Sequence, residues 1–133
     1  MVSVPFERLD FVYMPSRDVA AERDHFVDVL GARLVFAIES HGTRVAMVQL
    51  SEQPPALLLA GHLEGERPLL VYRVRNLDHA VAELEGRGWR RQPVFEIPHG
   101  PCCSFELSGG HRIAIYEATR PHATEHFAGR RDF

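Results

Sequence analysis

The sequence predicts one α+β domain, residues 1–133, built from two successive βαβββ modules. A strand, a helix and three further strands follow one another in residues 8–62, and the same order returns in residues 68–118. An offset of 58 residues also brings apolar strand positions and helix-capping residues of the two halves into coincidence. Because a repeated order of elements decides the architecture before any single motif does, we interpret the halves as paired modules. Residues 63–67 are the predicted linker, and residues 119–133 are a C-terminal tail.

The elements of the first module follow from alternation, spacing and helix-breaking residues. Residues 8–14 alternate and are rich in apolar and aromatic side chains, which is typical of a strand. Asp18 can cap a helix whose apolar residues recur at helical spacing, and Gly31 ends that helix. Three strands are predicted after it, separated by a turn and a proline-containing loop: residues 32–39, 43–50 and 56–62.

The elements of the second module follow in the same order. After a strand over residues 68–74, Asn76 can cap a helix with apolar residues at helical spacing: Leu77, Ala80, Val81 and Leu84. Two glycines end this helix, and residues 89–97 are predicted as a strand that Pro93 interrupts. Two more strands, residues 102–107 and 112–117, are joined by a glycine-rich turn, and the tail is predicted to contain a short helix.

Composition and charge argue against several classes of function. The chain has 45% hydrophobic and 25% charged residues, as globular proteins do, and its formal net charge of −3 predicts binding to neither nucleic acid nor a membrane. No apolar run approaches the roughly 20 residues that span a bilayer. The N-terminal residues lack the regions of a signal peptide, and the two cysteines are adjacent, which disfavours an internal disulfide. We therefore expect a cytoplasmic protein.

Three segments resemble the vicinal oxygen chelate superfamily, which includes glyoxalase I, extradiol dioxygenases, fosfomycin-resistance proteins and bleomycin-binding proteins. They are LDFVYMPSRDVAAERDHFVDVLGARLVF, VYRVRNLDHAVAELEGRGW and FELSGGHRIAIYEATRP. The resemblance covers residues 8–118. It implies a glyoxalase/bleomycin resistance-like fold, in which two βαβββ modules form a curved, cup-shaped mixed sheet with the helices outside. It also implies a homodimer.

The resemblance further implies where a metal ion would be held, with one ligand on the first and one on the fourth strand of each module. By position these ligands fall on Phe11, Leu58, Leu69 and Ala114. None of the four offers a lone pair suited to a divalent cation. Among the flanking residues only Asp10 is a candidate, and strand alternation places its side chain on the opposite sheet face. We therefore predict no metal and no cofactor.

Strand alternation extends the predicted lining of the cup. Tyr13, Ala60, Val71 and Tyr116 share faces with the four former ligand positions, and His62 and Arg73 follow toward the strand ends. The predicted ligand-binding residues are therefore Phe11, Tyr13, Leu58, Ala60, His62, Leu69, Val71, Arg73, Ala114 and Tyr116. The intervening residues are predicted to form the core under the helices: Val12, Leu57, Leu59, Leu70, Tyr72, Ile113 and Ile115.

An apolar, aromatic cup with a few polar groups suits a flat or apolar organic compound. Our first hypothesis is metal-independent binding of such a small molecule. The alternative is a lyase, isomerase or dioxygenase-type enzyme that uses polar cup residues or a non-standard metal site, with no catalytic residue assigned. A structural partner protein, and apolar residues that simply fill the cup, are also consistent with the sequence, which leaves open whether the protein is an enzyme.

Two other patterns carry metal-binding or reactive side chains. His122, Glu125 and His126 match the H-x-x-E-H spacing of one class of zinc proteases, but no later acidic ligand follows them. We interpret this segment as a solvated or docking helix. His99 precedes the adjacent Cys102 and Cys103, whose side chains diverge on a strand, and we interpret these cysteines as buried apolar residues.

Overall fold

Eight strands form a mixed sheet in the computed structural model, which describes residues 5–133. The strands are β1 (Phe6–Pro15), β2 (Arg33–Ser40), β3 (Thr43–Gln49), β4 (Ala56–Ala60), β5 (Leu69–Val74), β6 (Phe95–Ile97), β7 (Gly100–Glu106) and β8 (Arg112–Glu117). The helices are α1 (Val19–Asp28), α2 (Leu77–Gly86) and α3 (Ala123–Phe127). In these residues, no helix is both long and apolar enough to cross a membrane.

The strand order shows how the two modules join. The order across the sheet is β2-β3-β4-β1-β5-β8-β7-β6. Within each half the first and fourth strands are parallel neighbours, β1 with β4 and β5 with β8. The halves meet where β1 pairs antiparallel with β5. The prediction of two βαβββ modules in one curved mixed sheet is therefore confirmed.

Side-chain caps fix the starts of the two long helices. The Asp18 carboxylate accepts a hydrogen bond from the backbone N–H of Ala21 at 3.0 Å, and the Asn76 side chain accepts one from His79 N–H at 3.0 Å. Gly31 follows α1 with a φ of +73°, a left-handed conformation that glycine adopts without steric cost. All three residues serve as the sequence predicts.

Alternation along the strands separates a concave face from a face covered by helices. Leu59 packs under α1, while Tyr72 and Ile115 pack under α2, as predicted. Leu70 and Ile113 differ from the prediction, since they are half-buried and line a surface groove with Leu107. The reason is that α2 packs over the opposite ends of β5 and β8, beside Val74 and Ile115.

Several strand boundaries differ from the sequence-based expectation; for example, β4 ends at Ala60 and not at residue 62, and the largest difference is in residues 89–97. Of residues 89–97, only Phe95–Ile97 form a strand, and Arg91 makes a single bridge to Phe105. Pro93 has no N–H to donate to a ladder, which explains why the strand starts after it. At the other end of the chain, β1 begins at Phe6, earlier than the predicted residue 8.

The tail folds back over the concave face. After α3, Arg130 C=O accepts a hydrogen bond from Ala37 N–H at 2.9 Å, and Asp132 N–H donates to Ala37 C=O at 2.7 Å. The tail therefore pairs with the outer edge of β2, as an additional strand would. Phe127 of α3 packs against Phe36 with ring centroids 5.8 Å apart. This docking positions α3 above the sheet, where it forms part of the walls of two cavities.

Candidate functional site: two cavities on the concave face

The first cavity, called here the apolar cavity, has a volume of about 560 Å³. Its buried lining comes from β1, β4 and β5 through Tyr13, Leu58, Leu69 and Val71. Phe36, Ile38 and Val45 line it from the neighbouring strands, Phe95 and Ile97 from β6, and Phe127 from α3. The exposed residues Ser40, His62, Glu96 and Arg130 lie at its rim. Burial raises the pKa of Tyr13, so its phenol is neutral at physiological pH.

The second cavity, called here the polar cavity, has a volume of about 310 Å³ and shares α3 with the first. Charged and polar side chains line one side of it, including Arg8, Asp10, Arg73, His99 and Tyr116. The remaining lining combines apolar residues, such as Phe11, Val35, Met47, Pro54 and Ala56, with further polar ones, namely Arg33, Gln49, Glu52, Thr124 and Glu125. The concave face therefore offers one mainly hydrocarbon pocket and one pocket of mixed character.

The ten residues predicted to line the cup share the concave face, but they divide between these cavities. Tyr13, Leu58, His62, Leu69 and Val71 line the apolar cavity, and Phe11, Arg73 and Tyr116 line the polar one. Ala60 and Ala114 are fully buried in the hydrophobic core cluster of the concave face, and they line neither cavity. Nothing in the sequence indicated that the tail would line both cavities.

The side chain of Asp10 lies on a different sheet face from the one that the sequence predicts. Alternation predicts its side chain on the helix-covered face, yet its carboxylate contacts Tyr116 and Arg73, which both line the polar cavity. The cause is a bulge in β1, where Leu9 and Phe11 pair with the successive residues Tyr72 and Val71 and leave Asp10 as the extra residue. A bulge re-aims the side chain that the regular pleat would point away.

Three donors hold the Asp10 carboxylate in place. Arg8 Nε donates to Oδ1 at 2.5 Å, while Arg73 Nε and the Tyr116 hydroxyl donate to Oδ2 at 2.8 and 2.5 Å. Burial alone would raise the pKa of Asp10, but the hydrogen bonds from Tyr116 and Arg8 and the charge of Arg73 outweigh it and lower that pKa. Burial and the hydrogen bond to Asp10 raise the pKa of Tyr116. Asp10 is therefore ionised and Tyr116 is a neutral donor.

His99 is the second residue that the sequence did not identify as part of a cavity. Its ring lies 4.6 Å from that of Phe11, and its Nε2 is 2.6 Å from Thr124 Oγ1 on α3. Nδ1 is buried and has no hydrogen-bond partner within residues 5–133. Burial lowers the pKa of His99, and the charges of Arg73 and Arg120 act in the same direction against that of Asp10. The imidazole is therefore neutral at pH 7.

The side chains at the positions that the family resemblance assigns to metal ligands do not fit a divalent cation. Phe11, Leu58, Leu69 and Ala114 present hydrocarbon, and the Asp10 carboxylate already accepts hydrogen bonds from two arginines and a tyrosine. Among residues 5–133, no three His, Cys, Asp or Glu residues come together as a cation site would require. On α3, His122 Nδ1 lies 3.2 Å from Glu125 Oε1, and both side chains are exposed.

The adjacent cysteines occupy opposite faces of β7. Cys102 belongs to the concave core cluster and Cys103 to the cluster under α2, as strand alternation predicts. Burial raises the pKa of Cys102 to about 12, with the neighbouring Cys103 adding to the effect, and burial also raises the pKa of Cys103. Neither thiol ionises near neutral pH, which leaves them as buried apolar residues.

The fold is similar to that of several solved enzymes. Methylmalonyl-CoA epimerase from Mycobacterium tuberculosis has a TM-score of 0.76 and 19% sequence identity, over 92% of this chain and 95% of the other. A Streptomyces coelicolor methylmalonyl-CoA epimerase variant in complex with 2-nitronate-propionyl-CoA has a TM-score of 0.69 and 14% sequence identity, over 86% of this chain and 96% of the other. A mutant of homoprotocatechuate 2,3-dioxygenase from Brevibacterium fuscum has a TM-score of 0.63 and 22% sequence identity, over 86% of this chain and 33% of the other. No family model matches the chain, and no curated protein matches its sequence. At these identities the comparisons establish the fold alone.

Proposed function

We propose that this chain, which has the fold of the vicinal oxygen chelate superfamily, binds an apolar or aromatic small molecule in the apolar cavity without a metal ion. The observation that carries the proposal is the chemistry of the concave face. The positions that correspond to metal ligands are hydrocarbon, and two of them, Leu58 and Leu69, line a cavity of about 560 Å³. That volume lies within the range of small-molecule sites, which are mostly apolar with a few polar groups.

The energetics favour a ligand with several fused or linked rings. A compound that buries about 300 Å² of apolar surface gains about 7.5 kcal/mol at ~25 cal/mol per Å², before the cost of association is subtracted. Phe36 and Phe127 offer aromatic faces against which flat rings pack. Polar groups at the rim, such as His62 and Arg130, would orient substituents that remain in contact with water.

A second candidate, an isomerase or lyase acting in the polar cavity, is favoured by His99. Its ring is neutral and lines the polar cavity, and a ring rotation that exposes the buried, unpartnered Nδ1 would let it accept a proton from a bound compound. The two candidates differ in the fate of the ligand. A compound recovered unchanged after prolonged incubation supports the binding protein, and one recovered as an isomer or cleavage product supports the enzyme.

The proposal includes a homodimer in the cytoplasm, on the strength of the family resemblance. The exposed apolar side chains after α1, Val29 and Leu30, are consistent with a surface that a second copy covers. Sedimentation equilibrium measures the mass in solution and decides between one copy and two.

Titration with 1-aminoanthracene, a three-ring probe whose own fluorescence rises in apolar surroundings, tests the binding proposal. We expect saturable binding with one site per chain and a Kd above about 1 μM, because the gross gain of about 7.5 kcal/mol is smaller than the roughly 8.2 kcal/mol that corresponds to 1 μM. The intrinsic fluorescence of Trp89 is a poor reporter of binding, because Trp89 lies under α2, away from the cavity. Its ring centroid is 5.1 Å from that of Phe105. Absence of saturable binding across a panel of aromatic compounds would contradict the proposal.

A further inference from the structure

The polar cavity contains a feature that binding in the apolar cavity does not use, namely two arginines held side by side by one carboxylate. Arg8 of β1 and Arg73 of β5 lie directly opposite each other in the antiparallel ladder. Like charges in that arrangement repel. Asp10, whose side chain is only 4% exposed, lies between them and accepts Nε–H from both. Its carboxylate therefore fixes the position of two guanidinium groups.

The charges of this trio do not cancel. One carboxylate faces two guanidinium groups, and Tyr116 contributes only a neutral hydroxyl. The arginine side chains are 51% and 36% exposed, so the groups beyond each Nε reach the cavity while the Nε atoms are engaged. Across the cavity, Arg33 bonds to the Gln49 side chain and is exposed, as are the acidic residues Glu52 and Glu125. The excess positive charge is therefore confined to the trio, where the buried Asp10 holds two arginines.

Part of the wall beyond the arginines is apolar. Phe11, Val35, Met47 and Ala56 are buried and line the same cavity. A ligand held here must therefore satisfy guanidinium N–H groups at one end and hydrocarbon at the other. Planar guanidinium groups with spare N–H donors match the two oxygens of a carboxylate. The volume of about 310 Å³ restricts the apolar part to a small body such as one ring.

We propose that the polar cavity is a second binding site, for a small organic carboxylate whose anionic group is held by Arg8 and Arg73 and whose apolar body packs on Phe11 and Met47. Asp10 is a positioning residue in this site, since it orients the arginines and does not contact the ligand. The site goes beyond the proposed function, because it lies in the other cavity and recognises a charge that the apolar cavity does not require.

The probe for this site is benzoate, and its isosteric neutral control is benzamide. We expect benzoate to bind about 10-fold to 100-fold more tightly by isothermal titration calorimetry, since hydrogen bonds to a charged group add about 1.5 to 3 kcal/mol. The variants R73Q and R8Q are each expected to weaken benzoate binding about 10-fold or more. R17Q is the matched control, because Arg17 is almost fully exposed and lies outside the cavity.

Titration of the same variants with 1-aminoanthracene separates this inference from the proposed function. Unchanged probe binding by R73Q and R8Q shows that both variants fold, so that loss of benzoate binding supports the carboxylate site. Four results would overturn the inference. They are no benzoate binding up to its solubility limit, equal affinity for benzoate and benzamide, benzoate affinity unchanged in R73Q and R8Q, and competition by inorganic phosphate with the same affinity as benzoate. In the last case the apolar wall would contribute nothing.

Discussion

Replacing Val45 with Trp is expected to abolish binding of an apolar ligand and to leave the fold intact. Val45 lies in β3 opposite Ile38, is half-buried and lines the apolar cavity. A larger side chain there has open volume to enter, so the overpacking cost stays near the lower end of the usual range, about 1 kcal/mol. The indole occupies the space that the ligand needs. We expect the affinity for 1-aminoanthracene to fall about 100-fold or more, equivalent to about 3 kcal/mol.

Val94 offers a matched control for this substitution. It is 50% exposed and does not line the cavity, so V94W adds the same side chain to the surface. Fluorescence titration of both variants, with the melting temperature measured in parallel, separates blocked binding from unfolding. If V45W folds and binds the probe with wild-type affinity, the ligand does not occupy the apolar cavity.

Replacing Asp10 with Asn is expected to lower the free energy of unfolding by about 2 to 3 kcal/mol at pH 7. The substitution removes the charge between two opposed arginines and weakens the acceptor of the Tyr116 hydroxyl. Loss of one partner from a fully buried ion pair costs about 3 to 5 kcal/mol. The cost here is smaller because Arg8 and Arg73 are partly exposed and recover hydration. Urea unfolding followed by circular dichroism measures the difference.

The stability difference between the wild type and D10N is also expected to depend on pH. Because the pKa of Asp10 is lower in the folded protein than its ordinary value of 3.8, its stabilising contribution is complete above that value and is lost as the pH falls through the folded-state pKa. The stability difference between the wild type and D10N is therefore constant from neutral pH down to about pH 5 and shrinks below 3.8. D28N, on an exposed position of α1, is expected to change stability by less than about 0.5 kcal/mol. A D10N protein as stable as the wild type at pH 7 would contradict the assignment of Asp10.

Helix caps and strand alternation predicted the architecture well, because each depends on the identity of a few neighbouring residues. Asp18 and Asn76 cap the helices through their own side chains, and strand alternation places Tyr13 and Leu58 on the concave face. The repeated order of elements then specifies how the two halves pair. These features depend on residues that lie close together in sequence.

Long-range contacts and one irregularity account for what the sequence did not reveal. The position of Asp10 depends on a bulge whose location is set by pairing with β5, and strict alternation predicts the wrong face for its side chain. The division of the concave face depends on the tail, which docks through backbone hydrogen bonds at Ala37. His99 joins the polar cavity through Phe11 and Thr124, which are distant from it in sequence.

The central claim is that the concave face binds an organic molecule without a metal ion, at the positions that the family resemblance assigns to metal ligands. Its most direct test measures the metal content of the purified protein and the affinity for 1-aminoanthracene before and after dialysis against a strong chelator. The account predicts a metal content far below one ion per chain and the same affinity in both samples, within about 2-fold, or about 0.4 kcal/mol. A stoichiometric ion, together with loss of binding on chelation and its recovery when the metal is returned, would contradict it.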